Sequence, residues 1–183
     1  MTPSNRLVLG VALAAAIAGA AASVYWSNTS RPGESPTHPP APALQIGQPM
    51  PALVLHDLAG NAVDLRTRFQ GRPLLINAWA SWCAPCVEEM PALQALAQSQ
   101  GERGVQVLGL ALDTPDAVRA FLERVPVNYP IVLETPSAND ASVRLGNSRG
   151  VLPYSVLIGA DGRILKQKLG PFRADELSEW IER

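Results

Sequence analysis

The chain has 183 residues, 47% of them apolar, enough for one ordinary domain and an appendage. Fifteen basic and 16 acidic side chains leave a formal net charge of −1, which provides no field to gather nucleic acid or another strongly charged partner. The only two cysteines, Cys83 and Cys86, are too close to staple a fold across a long loop, so they are read as chemistry rather than reinforcement.

Residues 1–26 stand apart. Arg6 is their one charged side chain, and residues 7–26 form an apolar run long enough for a helix to span the ~30 Å hydrocarbon layer. Arg6 favours keeping the start of the chain inside, and Tyr25 and Trp26 suit the far interface. An uncleaved transmembrane anchor is the preferred reading, while Ala20, Ala21 and Ala22 keep a cleaved signal peptide open. Either one sends the remainder of the chain across a membrane. Residues 27–43 (SNTSRPGESPTHPPAPA) hold five prolines and no apolar periodicity, the composition of a semi-rigid spacer. The folded domain is expected over 44–183.

Within that domain strand-like and helix-like segments alternate. Residues 52–58 and 62–65, around Gly60 and Asn61, read as an opening hairpin. Residues 73–79 (PLLINAW) form a continuous apolar run, the mark of a strand buried on both faces. A helix follows over 84–98, with Pro91 expected to kink it. Residues 105–112 (VQVLGLAL) are a second buried strand. Thr114 caps the next helix with Pro115 in its first position, and Val118, Phe121, Leu122 and Val125 make one apolar face. Then come a strand at 129–133, a short helix at 140–145, and a closing hairpin from 155–158 and 163–169 around Asp161 and Gly162. Leu177, Trp180 and Ile181 stripe a last helix. This order predicts an α/β sandwich around a central mixed sheet.

The chemistry concentrates in Trp79, Ala80, Ser81, Trp82, Cys83, Ala84, Pro85 and Cys86, which lead from a buried strand straight into a helix. A cysteine at a helix N-terminus faces unpaired N–H groups and the positive end of the dipole, which lower a thiol pKa from about 8.5 toward 7 or below. Two intervening residues let the second sulfur attack a mixed disulfide on the first and release the partner. A closed zinc site needs four ligands, and beyond the two cysteines only His38 and His56 are on offer, at unsuitable spacings. No resident metal or cofactor is expected, although copper binding by the dithiol remains an alternative.

The strand–WCAPC–helix junction with Pro91 downstream, and Val151, Leu152 and Pro153 ahead of a strand, resembles the thioredoxins. More narrowly, WCxPC followed by Glu89, Met90 and Pro91 is similar to the membrane-anchored TlpA/ResA/CcmG-like thiol–disulfide oxidoreductases. The resemblance covers 44–183 and the anchor-and-spacer arrangement. It implies a thioredoxin-like fold with an N-terminal hairpin and a central insertion at 114–139. It implies Cys83 as the attacking thiol and Cys86 as the more buried, resolving one. Pro153 matches the family's cis-proline, beside which Leu152 offers its main chain to a substrate, and Trp82 joins an apolar collar that meets partners. Asn77 stands where cytosolic thioredoxins carry a buried aspartate. Glu89 matches a glutamate of the group one turn beyond Cys86, a candidate proton shuttle; Glu88 and Glu89 also suit the helix dipole as exposed acids. Trp79 is expected in the core. Tyr154 and Ser155, and the lack of an acidic Gly-Ala-Pro-Glu pattern near Pro153, point to a general TlpA-like reductase rather than the cytochrome-specific branch.

The expected activity is reduction of disulfides in exported proteins by dithiol–disulfide exchange, with a disulfide-donating oxidase and a copper-binding assembly factor as alternatives. By the resemblance, clients are cysteines of apocytochromes c or copper-handling proteins, and a membrane thiol-transfer protein supplies electrons. The expected setting is the bacterial cytoplasmic membrane, crossed once, with the catalytic domain facing the periplasm or cell exterior. A monomer is the expected working form.

Overall fold

Two apolar runs without polar alternation need cover on both faces, and they become the centre of the sheet. The computed structural model describes residues 44–101, 103–173 and 175–182. The anchor or signal peptide at 1–26 and the spacer at 27–43 lie outside these residues. Among the described residues no helix is long and apolar enough to cross a membrane. The elements in chain order are β1 (Val54–Asp57), β2 (Ala62–Asp64), α1 (Leu65–Arg68), β3 (Leu74–Trp79), α2 (Ala84–Ser99), β4 (Gln106–Leu112), α3 (Pro115–Arg124), β5 (Ile131–Glu134), α4 (Ala141–Arg144), β6 (Tyr154–Ile158), β7 (Ile164–Leu169) and α5 (Glu176–Glu182).

The seven strands make one sheet in the order β2-β1-β5-β4-β3-β6-β7. β3, β4 and β5 run parallel, and the outer strands pair antiparallel, so the sheet is mixed as expected. The insertion at 114–139 supplies α3 and β5, and β5 comes to lie between β4 and β1. Side chains of β3 alternate between two cores: Leu74, Ile76 and Ala78 enter one, Leu75 and Trp79 the other. β4 divides in the same way, with Leu108, Leu110 and Leu112 opposite Val107 and Ala111. The second core also takes Met90 and Leu93 of α2, Val118 and Phe121 of α3 and Leu177 of α5. Each such buried aliphatic side chain contributes about 1.5–3 kcal/mol.

Local departures from the expected elements have local causes. Residues 65–68 form a helical turn because the Asp64 side chain accepts from Arg66 N at 3.0 Å and caps it. β5 starts at Ile131 rather than 129, since Pro130 has no N–H to give, although its carbonyl still accepts from Gly109 N at 3.0 Å. α2 continues through Pro91 to Ser99. Thr114 caps α3 as expected, its hydroxyl accepting from Ala117 N at 3.3 Å.

Trp79 is fully buried, its ring centroid 5.2 Å from that of Phe121. Gly109 on β4 makes room for it: a Cβ there would stand 2.4 Å from Ile131 Cδ1 and 3.0 Å from Trp79 Nε1. Gly109→Ala is therefore expected to lower stability by about 1–3 kcal/mol, the usual cost of overfilling a packed core. Urea unfolding of the two proteins measures it, and an unchanged midpoint would contradict this packing.

Candidate active site

β3 delivers the chain to the top of the sheet at Trp79, and four residues later Cys83 sits at the N-cap of α2. Cys83 N donates to Ala80 O at 3.1 Å, and Cys83 O accepts from Cys86 N at 3.0 Å and Val87 N at 3.2 Å. The turn thus closes on the cysteine itself, and Pro85 occupies the first helical turn, where a missing N–H costs least. Cys83 and Cys86 form a disulfide, with their Cα atoms 5.3 Å apart. Cys83 is 5% exposed and Cys86 fully enclosed, so the first sulfur is the nearer to solvent.

The loop before Cys83 is held from the neighbouring strand. Trp79 pairs with Ala111 in the parallel β3–β4 register, so Ser81 and Asp113 each lie two residues beyond the ladder. Asp113 Oδ2 accepts from Ser81 N at 3.0 Å and from Ser81 Oγ at 2.6 Å, while Oδ1 accepts from Thr114 N at 2.7 Å. Partial burial pulls its carboxyl upward, but the bonds from Ser81 and Thr114 outweigh it and hold the group below the ordinary aspartate range.

Glu89 lies on the buried stripe of α2 with Cys86, Met90, Leu93 and Leu96, whereas Glu88 faces solvent. It is only 2% exposed, so the exposed-acid reading fails for Glu89 and holds for Glu88. Asn77 on β3 donates its Nδ2 to Glu89 Oε1 at 2.8 Å and to Ser155 Oγ on β6 at 3.0 Å. Phe172 N, beyond β7, donates to Glu89 Oε2 at 2.8 Å. Burial pushes the Glu89 carboxyl above its ordinary range, against the opposing pull of the Phe172 N–H, the Asn77 amide and the Lys168 charge. Tyr129 is buried in the same core, and burial, reinforced by Glu89, pushes its phenol well above the usual range.

The peptide bond between Leu152 and Pro153 is cis. In the antiparallel β3–β6 register Ala78 pairs with Tyr154, which sets Pro153 at the end of the sheet where Trp79 leads to the dithiol. Pro153 is buried, and Leu152 packs against the core that contains Cys83 and Cys86. Trp82 is 69% exposed and Val151 42% exposed, two large apolar side chains left uncovered. Among the described residues no three His, Cys, Asp or Glu side chains gather as a metal site, and His56 lies exposed on β1.

A mixed sheet of this topology with a dithiol at the start of its main helix defines a thiol–disulfide oxidoreductase of the thioredoxin-like class. The Redoxin family model matches residues 45–180, and the chain belongs to that family. It is similar to the thiol-disulfide oxidoreductase ResA of Bacillus cereus, 28% identical over 182 residues, 98% of this chain and 96% of the relative. ResA of Bacillus thuringiensis subsp. konkukian is 30% identical over 143 residues, 76% of this chain and 79% of that one. Among solved structures, the thioredoxin-related protein from Neisseria meningitidis serogroup B is similar at a TM-score of 0.62 and 30% identity, covering 70% of this chain and 96% of that one. The likeness to the TlpA/ResA/CcmG-like group read from WCAPC and its flanks therefore holds.

Asp113, Ser155 and Phe172 join the site without having been expected there. Each reaches it over a long separation, and none carries a local spacing signal; Asp113, ahead of Thr114 and Pro115, looks like part of a helix start. The carboxyl of Glu89 yields a pH prediction. An acid that takes up its proton more readily folded than unfolded makes stability fall as pH rises, beginning near its ordinary value of 4.5. Wild type is expected to show this downward contribution above that pH, and Glu89→Gln, which does not titrate there, to lack it. Urea midpoints between pH about 4 and 8 compare the two, and parallel curves would contradict the burial penalty.

Proposed function

We propose that the protein is a disulfide reductase for exported proteins. The observation that carries the direction is the group buried beside the dithiol: on the helix face shared with Cys86 it is a carboxyl, Glu89, and not a cation. Strong oxidants owe their high potential to a stabilised reduced form, and a cation or a well-solvated thiolate is what stabilises it. A buried carboxyl does the reverse, because negative charge there opposes a second one on sulfur. The relatives named thiol-disulfide oxidoreductase ResA support thiol–disulfide exchange as the chemistry.

In this reading the Cys83 thiolate attacks one sulfur of a client disulfide; an S–S bond to the client forms, and the client's other sulfur leaves as a thiolate. Cys86 then gives its proton to the Glu89 carboxylate and attacks Cys83 Sγ. The Cys83–Cys86 disulfide forms, the client's second sulfur leaves, and two electrons have passed to the client. Trp82 and Val151 cover the client's apolar flank, and Leu152 beside Pro153 meets its main chain. Residues 1–26 anchor the chain once in a bacterial cytoplasmic membrane, and 27–43 hold the domain of 44–183 off its periplasmic or outer face. A membrane thiol-transfer protein returns the electrons, and apocytochromes c or copper-handling proteins are the clients.

Replacing the resolving sulfur tests the order of attack. Full-length Cys86→Ser, mixed with a peptide disulfide, is expected to accumulate a mixed disulfide through Cys83 that dithiothreitol releases, while Cys83→Ser accumulates none. Mass spectrometry reads both. Absence of the adduct in Cys86→Ser, or equal adducts in the two variants, would overturn the assignment.

A further inference from the structure

Asn147 lies in the turn between α4 and β6, outside the dithiol chemistry, and is 2% exposed. Its side chain is fully used. Nδ2 donates to Val151 O at 3.1 Å and to Ser142 Oγ at 3.2 Å, and Oδ1 accepts from Val151 N at 3.2 Å. The side-chain amide thus pairs with both main-chain groups of Val151, as a neighbouring strand would.

Its orientation is dictated from behind. Asp140 Oδ1 accepts from Ser142 N at 2.9 Å and Val143 N at 3.2 Å, so that oxygen is an acceptor. Ser142 Oγ lies 2.7 Å from the same oxygen and gives it the hydroxyl's one proton. Ser142 therefore offers Asn147 only lone pairs. The NH2 of Asn147 must face Ser142, which leaves Oδ1 for the Val151 N–H.

Val151 directly precedes Leu152, and on the other side Pro153 O accepts from Gly170 N at 2.9 Å. Both neighbours of Leu152 are pinned, yet its own N–H and C=O have no hydrogen-bond partner among the described residues. We propose that Asn147 is a positioning residue: by holding Val151 it presents the free main chain of Leu152 as a preformed strand edge for an extended polypeptide client. This rests on the reading that the client docks beside Pro153. Two glycines with positive φ, Gly146 at 110° and Gly150 at 59°, flank the turn, so without the clamp the segment regains freedom that client binding must remove. The loss falls on binding of polypeptide clients and leaves the sulfur chemistry alone.

The test separates those two. Reduced full-length wild type, Asn147→Ala and Ser142→Ala are each given a synthetic linear peptide disulfide over a range of concentrations, and separately a small aryl disulfide. Asn147→Ala is expected to raise the half-saturating peptide concentration about tenfold, the penalty for ordering one more backbone unit, with the maximal rate, the aryl disulfide rate and the reduction potential unchanged. Ser142→Ala, which keeps the Val151 contacts but frees the amide to turn, is expected to show the same signature at smaller size and serves as the test where Asn147→Ala does not fold. Peptide half-saturation matching wild type in the folded variants, or an equal fall in the aryl disulfide rate, would overturn the inference. Failure of wild type itself to saturate with the peptide would instead overturn the docking reading on which it rests.

Discussion

Glu89 is a carboxyl group almost without solvent contact, and much of the active-site end of the molecule is arranged around that constraint. A buried acid without hydrogen-bond partners costs several kcal/mol, so its oxygens must be met by donors. The donors come from two directions at once. Asn77 reaches it from the central strand and Phe172 N from the segment after the last strand, so one side chain ties α2 to β3 and to the C-terminal part of the chain. Cys86 lies on the same buried face of the helix.

The sheet register explains why the remaining pieces of the site converge. β3 is the hub: β4 lies parallel on one side and β6 antiparallel on the other. Extending those ladders past Trp79 brings Asp113 level with Ser81 and Pro153 level with Trp79 itself. A loop that carries chemistry is then gripped by rigid neighbours, the usual division between a scaffold and the loops it positions. Ser81 is held through its main-chain N–H as well as its hydroxyl, which fixes the path of the chain two residues before Cys83.

Much of this was legible in the amino-acid sequence, for physical reasons that differ by element. PLLINAW and VQVLGLAL could only be strands covered on both faces, and β3 and β4 are. Thr114 with Pro115, and the turn at Asp161 and Gly162, carry their own local chemistry. The WCAPC junction declared the dithiol, and family likeness supplied the cis bond before Pro153. Glu89 was legible only in part: three residues from Cys86 on a helix it could face the dithiol or the solvent, and both suit an acid in an early turn. What decides it are donors 12 and 83 residues away, which no window on the chain contains. Asp113 and Asn147 went unread for the same reason, since Asn147 in a glycine-flanked turn reads as a turn former and its clamp on Val151 exists only after folding. The turn at 65–68 escaped because one capping aspartate outweighed an apparent strand ending.

In the proposed reading a buried carboxyl, rather than a cation, sets the chemistry of the Cys83 and Cys86 pair and makes it a reductant. The equilibrium reduction potential of that pair in the full-length protein tests it most directly, by titration against glutathione or dithiothreitol with tryptophan fluorescence as the readout. A value of about −250 mV or lower, in the range of thioredoxin, is expected. A value near about −120 mV, that of a strong disulfide donor, would contradict it.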